Sequence, residues 1–202
     1  MNTLVVYDSQ FGNTERIAQA IAGTLRSFGQ AQAVRVDPAH PVSFQGVDLL
    51  ILGCPTQGFR PTPAMQSFLG NVSYQSLSGL SVACFDTRFR GRLWKSSAAS
   101  RLARQLRTMG VEPIIPPESF FVKTMKKEGP LLAGEVERAA TWAKMLFNKV
   151  EAFRPAMQRS RKNRDWSLFV SDMTGILASR SYPFPLFTQR PFHPRVVCTW
   201  RP

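Results

Sequence analysis

Three cysteines in 202 residues, Cys54, Cys84 and Cys198, are an odd number with no CxxC pair, so neither a disulfide framework nor a thiolate zinc site is supported. Histidine is scarcer: His40 and His193 stand alone and cannot build a histidine-rich metal centre. No apolar run approaches the ~18 to 20 residues that cross a bilayer, Leu49 to Leu52 being typical. The N-terminus has no basic stretch ahead of an apolar one. These absences predict a soluble, non-exported, cytoplasmic protein without a transmembrane segment. No GxSxG elbow, HExxH helix or paired His/Cys arrangement occurs, so no catalytic residue and no metal ligand is assigned. Acidic residues are also few. Asp and Glu total 13 against 26 Lys and Arg, a net charge of +13. Such a surface suits acidic partners. No DNA- or RNA-binding motif accompanies it, so no specific nucleic-acid partner is expected.

Residues 1–150 alternate short apolar runs with segments of helical period, the pattern of a parallel sheet with crossover helices. Strands are predicted at Leu4 to Tyr7, Ala33 to Val36, Leu49 to Gly53 and Ser81 to Phe85, with a last one split across Ile114–Ile115 and Phe120–Val122. The first helix is predicted to start after Gly12, capped by Asn13 or Thr14, with Ile17, Ile21 and Leu25 on one stripe ending near Gly29. Further helices are predicted at Pro63 to Leu69, Ser97 to Met109 and Gly134 to Val150; in the last, Val136, Ala140, Ala143 and Phe147 would face inward. Residues 151–202 read as a basic, Pro/aromatic-rich extension with nine Lys/Arg against three Asp/Glu. Trp166, Phe169, Val170, Met173 and Leu177 recur at helical spacing there. That segment suits packing on the body, a disordered basic tail, a partner-binding helix or a helix on a membrane surface.

The stretch Tyr7-Asp8-Ser9-Gln10-Phe11-Gly12-Asn13-Thr14-Glu15 runs from a strand through a Gly-containing turn into a helix. Unsatisfied N–H groups at the helix start, the helix dipole and the Ser9 and Thr14 hydroxyls make such a turn an anion site. It lacks the lysine of GxxxxGK[ST] and the spacing of GxGxxG, which favours a phosphate monoester. Two more long polar and aromatic loops follow strand ends, Gly53 to Pro61 and Phe85 to Trp94. In an open parallel sheet of order 2-1-3-4-5, the loops after strands 1, 3 and 4 meet at the switch point where ligands bind.

On these residues the first three quarters of the chain resemble the flavodoxin-like FMN-binding family. Ser9, Gly12, Asn13 and Thr14 match its [ST]-x-[ST]-G-x-T phosphate signature, and Phe11 replaces one hydroxyl. Flavodoxin is itself a standard illustration of the switch-point rule, so the loop geometry expected here is the family's own. The resemblance implies a three-layer α/β/α domain over residues 1–150, with a five-stranded parallel sheet of order 2-1-3-4-5 and a basic C-terminal extension over 151–202. It also implies FMN as cofactor. Ser9, Gln10, Phe11, Gly12, Asn13 and Thr14 would hold the ribityl phosphate, while Pro55, Thr56, Gln57, Gly58, Phe59, Asp86, Thr87 and Arg88 would border the isoalloxazine. Phe59 and Trp94 are candidates to stack on it.

The function implied is electron transfer, as a carrier or a small FMN-dependent oxidoreductase, with a redox protein of acidic surface as partner. The alternative is a flavodoxin-like module that no longer binds FMN and serves as an interaction protein for an acidic partner. One feature runs against the family pattern: carriers are acidic around the flavin, whereas the expected rim here holds Arg60, Arg88, Arg90, Arg92 and Lys95 with a lone Asp86. Cations there favour negative charge on the reduced ring, so a less negative potential is expected. Cys54 and Cys84, at strand ends, read as core thiols. Asp8, beside the phosphate turn, reads as a local hydrogen-bonding residue and not as a general base.

Overall fold

Five apolar segments pair in register into one parallel sheet. They are β1 (Asn2–Tyr7), β2 (Gln30–Arg35), β3 (Leu49–Pro55), β4 (Ser81–Phe89) and β5 (Glu118–Val122), in the order β2-β1-β3-β4-β5. The computed structural model describes residues 1–37, 39, 42–91, 96–124 and 129–164, and of 154–164 the backbone alone. The chain divides into two units, Met1–Arg161 and Lys162–Pro202. The second unit's Trp166 to Leu177 periodicity, Cys198 and His193 lie outside the described residues, as do His40, Arg92, Trp94 and Lys95.

Because side chains alternate across a strand, the sheet buries two faces. Val5, Tyr7, Ile51 and Phe85 join Ile17, Ile21 and Leu25 of α1 (Asn13–Leu25) and Ala139, Trp142, Ala143 and Leu146 of α5 (Glu135–Arg164) in one core. Leu4, Val6, Leu50, Leu52 and Cys84 form the other. That core is completed by Met65 and Leu69 of α2 (Pro63–Asn71), Leu77 of α3 (Tyr74–Leu77) and Leu102 and Leu106 of α4 (Ala98–Thr108). The result is the predicted three-layer α/β/α architecture. Phe85, Phe120 and Trp142 meet edge to face, with centroids 5.9 to 6.2 Å apart. Gly53 lies opposite Phe85 across β3 and β4, and a Cβ there would collide with the Phe85 ring, so only glycine fits.

Register fixes where the loops emerge. Tyr7 aligns with Gly53, and Gly53 with Phe85, so the residues after them leave the sheet along one edge. Several boundaries differ from expectation. Gly12, and not Asn13 or Thr14, is the N-cap of α1, because the Asn13 amide donates to Gly129 O (2.7 Å) and the Thr14 hydroxyl pairs with Thr87. The helix stops at Leu25, and a 3-10 turn over Arg26–Phe28 leads to Gly29. Ile114 and Ile115 stay outside β5, flanked by Pro113, Pro116 and Pro117, which have no N–H for a ladder. In α5 the buried apolar residues are Ala139, Trp142, Ala143, Leu146 and Val150; Val136, Ala140 and Phe147 flank them half-buried, and the helix runs past position 150.

Candidate functional site

At the carboxyl edge of the sheet a cavity of about 460 Å³ opens between three loops. This lies within the ~300–1,000 Å³ usual for ligand sites. Gln10, Phe11, Asn13 and Thr14 line it from the β1–α1 turn and the start of α1; Pro55, Thr56, Gln57, Gly58 and Phe59 from the end of β3 and the loop after it; and Thr87, Arg88 and Phe89 from the end of β4. Val122 at the end of β5, with Thr124 and Gly129 on the β5–α5 connection, closes the remaining side. Eleven of the fourteen residues singled out from sequence therefore stand around one hollow.

The β1–α1 turn carries the anion-binding chemistry. Gly12 takes φ +81°, a left-handed conformation that costs other residues about 1–2 kcal/mol. No side chain caps α1. Among the described residues, the backbone N–H groups of Gln10 through Thr14 find no protein acceptor, and the first to do so is Glu15, whose N–H donates to Ser9 Oγ at 3.3 Å. Five free donors with the positive end of a helix behind them form a nest for an anion. Ser9 is buried, and since its oxygen accepts from Glu15 its own hydrogen is left to donate. Thr14 Oγ1 and Thr87 Oγ1 are 2.7 Å apart, one donating to the other, so one of the pair keeps a hydrogen for a ligand. Behind the turn Asp8 accepts from Ser9 N–H at 2.8 Å, the hydrogen-bonding role expected of it. Arg35 lies 3.8 Å from the Asp8 carboxylate and donates to Ser9 O at 2.6 Å. The donor set fits a dianionic phosphate ester.

The other end of the cavity is flatter and more apolar. Gln57 and Arg60 exchange two backbone hydrogen bonds (2.9 and 3.0 Å) across Gly58 and Phe59, which both have positive φ (52° and 64°). This is a tight turn that holds a phenyl ring, 42% exposed, at the cavity mouth. Phe11, 45% exposed, flanks the mouth on the opposite loop, and the Gln57 and Gln10 side chains hydrogen-bond across between the loops. Phe11 thus contributes an apolar wall where the signature would place a hydroxyl. Arg88 and Arg90 lie over the Phe121 ring at 5.9 and 5.5 Å, placing positive charge beside the β4 end.

One residue read as bordering the ring is placed differently. Asp86 is fully buried, and its Oδ2 accepts from the Thr56 hydroxyl (3.1 Å) and from Ala99 N–H (2.9 Å). It braces the loop after β3 against the start of α4 from behind the cavity wall, because a short carboxylate at this register points toward the α4 side of the sheet. Ser9 and Gly12 do not line the hollow themselves and contribute as part of the turn's donor set. The missed residues are Phe89, Val122, Thr124 and Gly129. β5 adjoins β4, so its carboxyl end shares the same edge, and the position of Val122 to Thr124 at and just after the end of the last strand was the available signal. Burial pushes the Cys54 thiol up to about 12 and the Cys84 thiol higher still, in keeping with core thiols. No helix among the described residues is long and apolar enough to cross a membrane.

Comparison with solved structures finds the same frame. A flavodoxin from the domain Archaea aligns over 75% of this chain and 99% of its own, with 21% identity and a TM-score of 0.61. The oxidised Flavodoxin 1 of Bacillus cereus aligns over 73% of this chain and 98% of its own, with 18% identity and a TM-score of 0.57. Rubredoxin oxygen:oxidoreductase from Desulfovibrio gigas matches over 75% of this chain but only 36% of its own length, with 19% identity and a TM-score of 0.58. The flavodoxin family model matches residues 5–142. The chain belongs to the flavodoxin family, whose members bind FMN and transfer electrons to redox partner proteins.

Proposed function

We propose that this chain binds FMN non-covalently in the cavity at the carboxyl edge of the sheet and serves in electron transfer. The observation that carries this reading is the run of five N–H groups from Gln10 to Thr14, unpartnered among the described residues, opening into a cavity with an apolar far end. FMN supplies the redox chemistry when bound, and the protein supplies anchoring, orientation and electrostatics. Ser9, Gln10, Phe11, Gly12, Asn13 and Thr14 hold the phosphate end. Pro55, Thr56, Gln57, Gly58, Phe59, Thr87 and Arg88, with Phe89 and Val122, border the ring. Asp86 keeps Thr56 in position and touches no ligand. Simple electron transfer asks for no acid or base, and none is assigned. The partner is a redox protein of acidic surface, since the chain carries twice as many basic as acidic residues. The free thiols of Cys54 and Cys84 agree with a reducing, cytoplasmic setting.

Visible spectroscopy of the purified chain tests the reading. A flavin spectrum that bleaches with dithionite and returns when a protein oxidant is added supports it. Colourless protein that ignores added FMN contradicts it and favours the interaction module. The positive rim also sets an expectation for potential. Replacing Arg88 by Gln withdraws a cation from the cavity wall, so the bound flavin becomes harder to reduce, by tens of millivolts on a scale of about 59 mV per tenfold for one electron.

A further inference from the structure

A second recess, of about 310 Å³, lies beside the first and has a different chemistry. Arg60, Arg101 and Arg104 line it, with Gln66, Gln105 and Thr108 between them. No carboxylate lines it, and none of the three arginines joins an ion pair among the described residues. Arg107, on the same helix, shows what a satisfied arginine looks like here: its guanidinium grips Glu112 at 2.8 to 2.9 Å. Arg101 Nε is buried without a hydrogen-bond partner, an arrangement that costs free energy until an acceptor arrives. The frame of the recess is firm, since Thr62 caps α2 and Gln66 donates to Pro61 O at 2.6 Å.

Its position gives the recess meaning. Gln57, Gly58 and Phe59 line the cavity, and the next two residues, Arg60 and Pro61, line the recess, so one tight turn separates the two hollows. Anything seated on the arginines stands at the exposed Phe59 rim. We propose that the Arg60–Arg101–Arg104 recess is the docking surface for an acidic redox protein, whose carboxylates pair with these guanidiniums and bring its redox centre to the Phe59 side of the FMN cavity. Three forked donors lining one recess match several carboxylates on a folded surface. Among the described residues the recess offers no aromatic side chain on which a base would stack, which weighs against a nucleic-acid strand. This inference rests on the FMN reading above.

The test uses the full chain loaded with FMN and, as probe, a chemically reduced plant-type [2Fe–2S] ferredoxin of acidic surface. One electron leaves the cluster, which is oxidised, and one enters the flavin. Stopped-flow absorbance then gives the second-order rate constant. The expected rate falls at least about tenfold from low to high ionic strength, as for opposite charges that steer encounter. In R101E/R104E the low-salt rate falls at least about tenfold again, while FMN uptake and reduction by dithionite are unchanged; R101K/R104K keeps most of the wild-type rate. R101Q/R104Q, with a smaller fall, serves if charge reversal impairs folding. A salt-independent wild-type rate, or glutamine and glutamate variants that react like wild type, overturns the docking surface alone. Loss of affinity for duplex DNA in the variants with no change in the ferredoxin rate also overturns it, by assigning the arginines to nucleic acid. A wild-type chain that takes up no FMN overturns the underlying reading, and the surface as a redox dock with it.

Discussion

The hydroxyls of Thr14, in the first turn of α1, and Thr87, near the end of β4, lie 2.7 Å apart and hydrogen-bond while buried. Two loops separated by 73 positions in sequence are thereby joined at the floor of the cavity, where the phosphate turn meets the ring-bordering strand. Thr14→Val keeps the shape, removes a donor from the anion site and strands the Thr87 hydroxyl. Hydrogen bonds to charged groups are worth about 1.5–3 kcal/mol. The variant is therefore expected to bind FMN roughly tenfold or more weakly while its affinity for riboflavin, which has no phosphate, stays within about twofold. Flavin fluorescence titration measures both.

Asp86 is a brace, and its removal should act on stability first. Asp86→Ala strands the Thr56 hydroxyl and the Ala99 N–H, which now share one carboxylate oxygen. Chemical denaturation is expected to show a loss of about 1–3 kcal/mol. Asp86→Asn retains an acceptor and should recover much of that loss. If alanine leaves the midpoint unmoved, the brace contributes nothing.

Phe59 holds φ +64°, a conformation that side-chain-bearing residues adopt at a cost of about 1–2 kcal/mol. Strain retained at a cavity mouth points to a job for the ring. Phe59→Gly relieves the strain, so thermal stability should stay level or rise by up to about 1 kcal/mol, while FMN affinity falls severalfold. A variant that binds FMN as tightly as the parent would show the ring to be idle.

Alkaline pH should unfold this protein by way of its core thiols. Cys54 is raised to about 12 and Cys84 further, each by burial first, whereas an unfolded thiol ionises near ~8.5. With the folded pKa above the unfolded one, the unfolded state loses its protons first as pH rises. The contribution of each thiol is thus complete below about pH 8.5 and is lost progressively from there, to about 12 for Cys54 and beyond it for Cys84, at about 1.4 kcal/mol per pH unit. Tyr7, raised by burial and by Glu15, adds to the decline at the upper end. Urea midpoints measured across this window should fall for the parent and flatten in Cys54→Ala/Cys84→Ala. Below the window, in a Cys198→Ser background, a thiol reagent should titrate nothing until denaturant is added.

Strand order, layer arrangement and the three loops were legible because they follow from period and punctuation: alternating apolar runs, Gly12 after β1 and the long loops after Gly53 and Phe85. Local reading failed where a distant partner decided the outcome. Asn13 and Thr14 look like helix caps until Gly129 and Thr87 claim their side chains, and Asp86 looks like a rim residue until Thr56 and Ala99 draw its carboxylate inward. The contribution of Thr124 and Gly129 to the cavity was hidden for a related reason. It depends on β5 lying next to β4, which is a property of the assembled sheet and not of any short segment.

The most direct test of the account is a paired titration of the flavin-stripped chain with FMN and with riboflavin, followed by fluorescence quenching. The unpartnered N–H groups of Gln10 to Thr14 predict a preference for FMN of at least about tenfold, one that shrinks in Gly12→Ala, where the left-handed turn is strained. Equal affinity for the two flavins, or no binding of either, would contradict it.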